Sequence, residues 1–128
     1  MNVAIACTAL LGLLLFGLGL YVSSQRFNSQ QNIGYDKSPV DPLHRAVRAH
    51  ANTAEYAPFL AVLFLWFATR PAPIWITATI AVATFARYLL VAGLLWGGPL
   101  DRPNPARFLG ALLTYVCGLV LAVGLAAV

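Results

Sequence analysis

The chain has 128 residues, 60% of them hydrophobic and 9% charged, with 8 Lys and Arg against 4 Asp and Glu. Soluble domains carry about 25% charged residues, so this composition excludes a soluble domain and describes a single membrane domain over 1–128. It also excludes a nucleic-acid binder, because the cations are scattered among apolar spans instead of gathered into a patch with exposed aromatics.

Val3 to Val22 is a run of 20 residues without a charge, long enough to cross a bilayer. No Lys or Arg precedes it, and it is longer than the apolar region of a signal peptide, so a retained first helix over about 3–22 is predicted. Arg26 stands where that helix leaves the membrane, and Ser23 to Asp41 reads as a polar loop. Asp41-Pro42 is a helix start: Asp is a favoured N-cap, and Pro suits the first helical position because its missing N–H is not needed there. The second helix is predicted over about 43–69, with Pro58 removing the bond to the Ala54 carbonyl and kinking it. Arg70-Pro71-Ala72-Pro73 is a turn, and a third helix over about 73–96 carries one charge, Arg87. A second polar loop ends in Asn104-Pro105, which repeats the cap-then-proline start and puts Arg107 in the first turn of a fourth helix over about 106–128.

Four spans place both termini on one side. Arg26, Lys37, Arg45, Arg48, Arg102 and Arg107 lie in or beside the two polar loops, against Arg70 alone at the other end. The positive-inside rule puts the loops in the cytoplasm and both termini on the non-cytoplasmic side. Trp66, Trp75 and Trp96 lie near span ends and read as interfacial anchors. Cys7 and Cys117 sit inside apolar spans as small packing residues. His44 and His50 stand six apart with no Cys nearby, so no metal-ligand spacing is present.

The second helix opens on LHRAVRAHANTAEYAPFL, Leu43 to Leu60, which no lipid-facing helix should carry. At helical spacing Arg45, Arg48, Asn52 and Glu55 fall within roughly an 80° arc, with Tyr56 at its edge and His50 well away. Charges at membrane depth normally face a protein interior or a watery cavity and mark a functional site. A bland reading is a salt-bridge network holding the bundle together, with His50 as packing, Arg102 as a solvated loop charge and Arg87 paired internally. The functional reading is an anion site. Arginine pairs with carboxylate, Glu55 would accept an ammonium, and two helix N-termini add partial positive charge. A ligand with two carboxylates, an amine and amide groups fits, and glutathione is such a molecule. Cations near its thiol would favour the thiolate, whose free pKa is about 8.5. Lowering that by about two corresponds to about 2.7 kcal/mol.

Arg45 to Phe59, RAVRAHANTAEYAPF, resembles the signature of the MAPEG family, the membrane-associated proteins in eicosanoid and glutathione metabolism, and the chain is similar to it in length, span number and polar first loop. The likeness is to a bacterial-type member resembling microsomal glutathione transferases. It implies an all-α four-helix transmembrane bundle that forms a homotrimer in a bacterial inner membrane or its equivalent, with glutathione bound between subunits on the cytoplasmic side. By that resemblance Arg48, Asn52, Glu55 and Tyr56 contact glutathione, Arg45 supports them, and Arg26 meets a glutathione carboxylate. Arg107, in PNPARF, corresponds to the catalytic arginine that stabilises the thiolate. Leu90 and Leu94 stand where glutathione-holding tyrosines are expected, and Phe108 replaces a serine found after that arginine in one branch. These departures favour a general glutathione transferase or peroxidase, acting on an apolar electrophile or lipid hydroperoxide, over leukotriene or prostaglandin synthesis. Two other readings of the residues are a non-catalytic lipid- or glutathione-binding protein of the same fold and a small proton-coupled exporter. The exporter is disfavoured because Glu55 shares its face with two arginines, which oppose proton exchange.

Overall fold

A computed structural model describes residues 2–127. Four helices account for most of them: α1 (Val3–Ser29), α2 (Pro42–Ala68), α3 (Ile74–Trp96) and α4 (Pro105–Ala126). Three of these, α1, α3 and α4, are long and apolar enough to cross a membrane. The remaining helix, α2, has 27 residues, or about 40 Å at the helical rise, so only its polar N-terminal half keeps it from the same description. The architecture is a four-helix membrane bundle.

Local sequence explains where the helices begin. The Asp41 carboxylate accepts from the His44 N–H at 2.8 Å and Asn104 Oδ1 accepts from the Arg107 N–H at 3.0 Å, each cap followed by proline at the first helical position. α1 is capped by Asn2, whose side chain also donates to the Ala68 carbonyl at 3.2 Å and so ties the start of α1 to the end of α2. The end of α1 differs from the expected Val22. Ser23, Ser24, Gln25 and Arg26 include no helix breaker, and the helix continues through them to Ser29 before Gln30 closes it at φ 57°. The polar loop is correspondingly shorter, and Arg26 lies in the last turn of α1. α2 stays one helix through Pro58.

Antiparallel pairs α1–α2 and α3–α4 make the largest contacts, while α2 and α4 touch only slightly. The polar loops join at one end, where the Leu100 N–H donates to the Pro39 carbonyl at 2.9 Å. Side chains from all four helices form one apolar cluster, including Leu11, Phe64, Ile80 and Leu121, and Cys7 and Cys117 are buried free thiols within it. A second cluster nearer the polar loops contains Leu14, Leu18, Ala49, Leu90, Val91 and Leu94. Asn104 holds the α3–α4 corner twice, because its Nδ2 also donates to the Gly97 carbonyl at 2.7 Å. Asn104→Ala removes the cap and leaves that carbonyl unpaired, so a loss of about 1–2 kcal/mol is expected. The thermal midpoint in detergent should fall relative to wild type, and an unchanged midpoint would show that the corner is held by packing alone.

Candidate functional site

Between the two apolar clusters lies a polar group that the helical arc did not foresee. Arg87 is 0% exposed. Its Nη2 donates to Asn52 Oδ1 at 2.7 Å and approaches Thr53 Oγ1 at 3.4 Å, while its Nε and Nη1 are buried without a partner. The guanidinium carbon lies 5.4 Å from the centre of the Tyr56 ring. Isolated buried charge is costly, and here the observed partners are neutral oxygens and a ring face. One consequence is directional. With Asn52 Oδ1 occupied by Arg87, the Asn52 amide has its Nδ2 donors left, so it offers hydrogen to a ligand oxygen.

Along the rest of the stripe, Arg48 and Glu55 are exposed and Asn52 and Tyr56 half-buried. These four form the part of the predicted site that lies open at the surface of the bundle. Tyr56 meets Tyr115 of α4 with ring centroids 5.6 Å apart. From this pair an apolar groove of about 550 Å³ runs between α2 and α4, lined by Phe59, Leu119 and Ala122 with Glu55 at its head. Polar groups suited to a soluble ligand thus adjoin a groove suited to an apolar one.

The other predicted residues go elsewhere in the bundle. Arg45 turns to the end of α3, where its Nη1 donates to the Leu95 carbonyl at 3.2 Å. Arg26 donates from Nη1 to the Gly34 carbonyl at 2.7 Å and closes the loop after its own helix. Arg107 donates from Nη1 to the Leu100 carbonyl at 3.0 Å and from Nη2 to the Arg102 carbonyl, clasping the loop before α4. Two bonds leave three of the five guanidinium N–H groups and the whole charge available. The close approach of α4 to α3 depends on glycine here, since a Cβ on Gly93 would lie 2.7 Å from Arg107 Cγ. His50 faces α1, where a Cβ added to Gly19 would lie 3.5 Å from its Nε2. Arg102 is an exposed loop residue. Leu90 and Leu94, 5% and 9% exposed, face the bundle's interior, so neither lines the open stripe.

The sequence alone pairs Arg87 internally, as it is here with Asn52 and Thr53, but gives it no part in the site. The available signal was its position as the one charge in α3, since a lone charge in a span must face inward.

Four membrane helices that gather cations, an amide and a carboxylate at the looped end define a membrane bundle built around a polar interfacial site. The chain belongs to the MAPEG family, whose model matches residues 4–127. It is therefore an integral membrane protein of the family concerned with glutathione and eicosanoid metabolism. Neither a comparison with curated proteins nor one with solved structures finds a match.

Proposed function

We propose that the protein is a glutathione-dependent transferase or peroxidase that activates the glutathione thiol for reaction with an apolar electrophile or lipid hydroperoxide taken from the bilayer. The observation that carries this reading is the junction of the open α2 stripe with the apolar α2–α4 groove at Glu55 and Tyr56. The donor set suits glutathione. Arg48 pairs with a carboxylate, the free Asn52 amide N–H groups donate to a second carboxylate or peptide carbonyl, and Glu55 holds the ammonium. Tyr56 shields one side of that set and lines the groove. Arg45 and Arg26 add positive potential at the same end of the bundle and, in a homotrimer, bring it to a neighbour's cleft. Glutathione supplies the sulfur nucleophile.

Arg107 is the residue assigned to thiolate stabilisation. Its bonds to the Leu100 and Arg102 carbonyls hold the guanidinium at the α4 N-terminus, where its charge and the helix dipole act in the same direction. The site faces the cytoplasm by the distribution of Lys and Arg.

The test is a pH series of ultraviolet thiolate spectra on mixing glutathione with the detergent-purified protein. Thiolate should form well below the free thiol's pKa of about 8.5. In Arg107→Ala the thiolate should appear only near that value while calorimetric binding persists. Absence of both thiolate and calorimetric binding in the wild type overturns the proposal.

A further inference from the structure

The face formed by the parallel helices α1 and α3 carries a trough of about 730 Å³ lined by Leu13, Gly17, Tyr21, Tyr88, Val91 and Trp96. It is open over Gly17, where an added Cβ would meet nothing within 4 Å. Its inner end is closed by Tyr88, whose hydroxyl donates across to the Leu10 carbonyl at 2.9 Å. Its outer end shares Tyr21, Leu95 and Trp96 with a smaller pocket of about 200 Å³, to which Arg45 and Pro42 contribute. Arg45 is the charged residue of that pocket. It uses one N–H on the Leu95 carbonyl, and its Nε is buried without a partner.

The dimensions match one leaflet. Leu13 and Tyr21 lie eight helical steps apart, about 12 Å of helix. Half of a ~30 Å hydrocarbon core is of similar depth. The trough runs from the looped end, where the polar loops mark the interface, and stops near the bilayer midplane at Tyr88. A packed helix from a second subunit would follow α1 past that point. An acyl chain of the adjacent leaflet would not. The pocket at the outer end is cationic, contains no carboxylate, and is flanked by Tyr21 and Trp96, residue types that favour the headgroup level. Basic pockets between membrane helices at this level take anionic headgroups.

We infer that the α1–α3 trough binds one anionic phospholipid of the bilayer, with its phosphate at Arg45 and one acyl chain laid over Gly17 against Tyr88. This is a lipid site distinct from the α2–α4 groove. It gives Arg45 a headgroup as partner where the stripe alone suggests a glutathione contact.

Native mass spectrometry of the full-length protein in detergent tests this, with phosphatidylglycerol and phosphatidylcholine of identical chains as probes. One retained phosphatidylglycerol per chain is expected. Its preference over phosphatidylcholine should be about fivefold, the weight of one arginine at an anionic surface. Gly17→Trp sets its Cβ clear of the bundle and its ring in the trough, and should abolish retention of both lipids, with glutathione binding unchanged. Arg45→Gln should abolish the preference and leave chain binding in place. Equal retention of the two lipids by wild type overturns the inference, as does retention unaffected by Gly17→Trp. A change of oligomeric mass in Gly17→Trp without any lipid adduct in wild type would assign the trough to a second copy and also overturn it. Glutathione binding measured on the same samples reports separately on the α2 stripe.

Discussion

Arg87→Met should fold as well as the wild type and bind glutathione about ten to a hundred times more weakly. The two halves of this expectation have different physical origins. Arg87 is wholly buried, and its Nε and Nη1 lack partners. Replacing such a group with an apolar side chain of similar length removes a desolvation cost, which offsets the loss of its bonds to Asn52 and Thr53. The thermal midpoint should therefore hold or rise. Asn52, however, loses the 2.7 Å charge-assisted bond that fixes its carbonyl oxygen inward. Such bonds contribute about 1.5–3 kcal/mol, and without one the amide can present either end to the ligand. Calorimetric titration of Arg87→Met, Asn52→Ala and the double variant would separate the contributions. If Arg87 acts through Asn52, the double variant should bind no worse than Asn52→Ala. Full additivity would show that Arg87 acts on binding independently of Asn52, and unchanged binding in Arg87→Met that it serves the fold alone.

The second large effect is expected at Gly110. A Cβ there would lie 2.7 Å from the Leu90 backbone nitrogen and 2.8 Å from its Cα, both part of the neighbouring helix and unable to rotate away. Gly110→Ala should therefore force α4 off α3 and destabilise the bundle by about 1–3 kcal/mol, the range for overpacking a close-packed interior. Because Arg107 lies one turn earlier on α4, the thiolate signal should weaken in the same variant. Gly12→Ala is the matched control: an added Cβ meets nothing within 4 Å, and alanine favours a helix over glycine. Its thermal midpoint should stay level or rise. Equal midpoints for the two alanine variants would mean that α4 is not held against α3 by that contact.

Much of the bundle was legible in residue order because its determinants are local. Uncharged runs set the spans, Asp41-Pro42 and Asn104-Pro105 set two helix starts, and the RAVRAHANTAEYAPF segment carried the family resemblance. The end of α1 was less legible, since a drop in hydropathy at Ser23 marks where a helix leaves lipid and not where its hydrogen bonds stop.

The arc on α2 shows where local information ends. Helical spacing states which way each Cα–Cβ bond points, and it puts Arg45, Arg48, Asn52 and Glu55 on related faces. It does not state which neighbour lies within reach of a long side chain. Arg45 extends to Leu95, Arg26 to Gly34, and Arg107 to Leu100 and Arg102, each drawn to a carbonyl at a helix end or in a loop. The apolar groove stayed illegible for a related reason: Phe59, Leu119 and Ala122 are ordinary span residues until packing sets them along one groove.

By itself, then, the sequence determined the membrane setting, the four helices, their capped starts and the family, all of which depend on hydropathy and on contacts a few residues apart. Only the tertiary structure decided that Arg87 lies buried behind Asn52, that Leu90 and Leu94 face inward, and that the α2 stripe opens onto an apolar groove. Those facts depend on how close two helices approach and at what register. Such distances are set by packing between residues far apart in the chain, as where Gly110 meets Leu90.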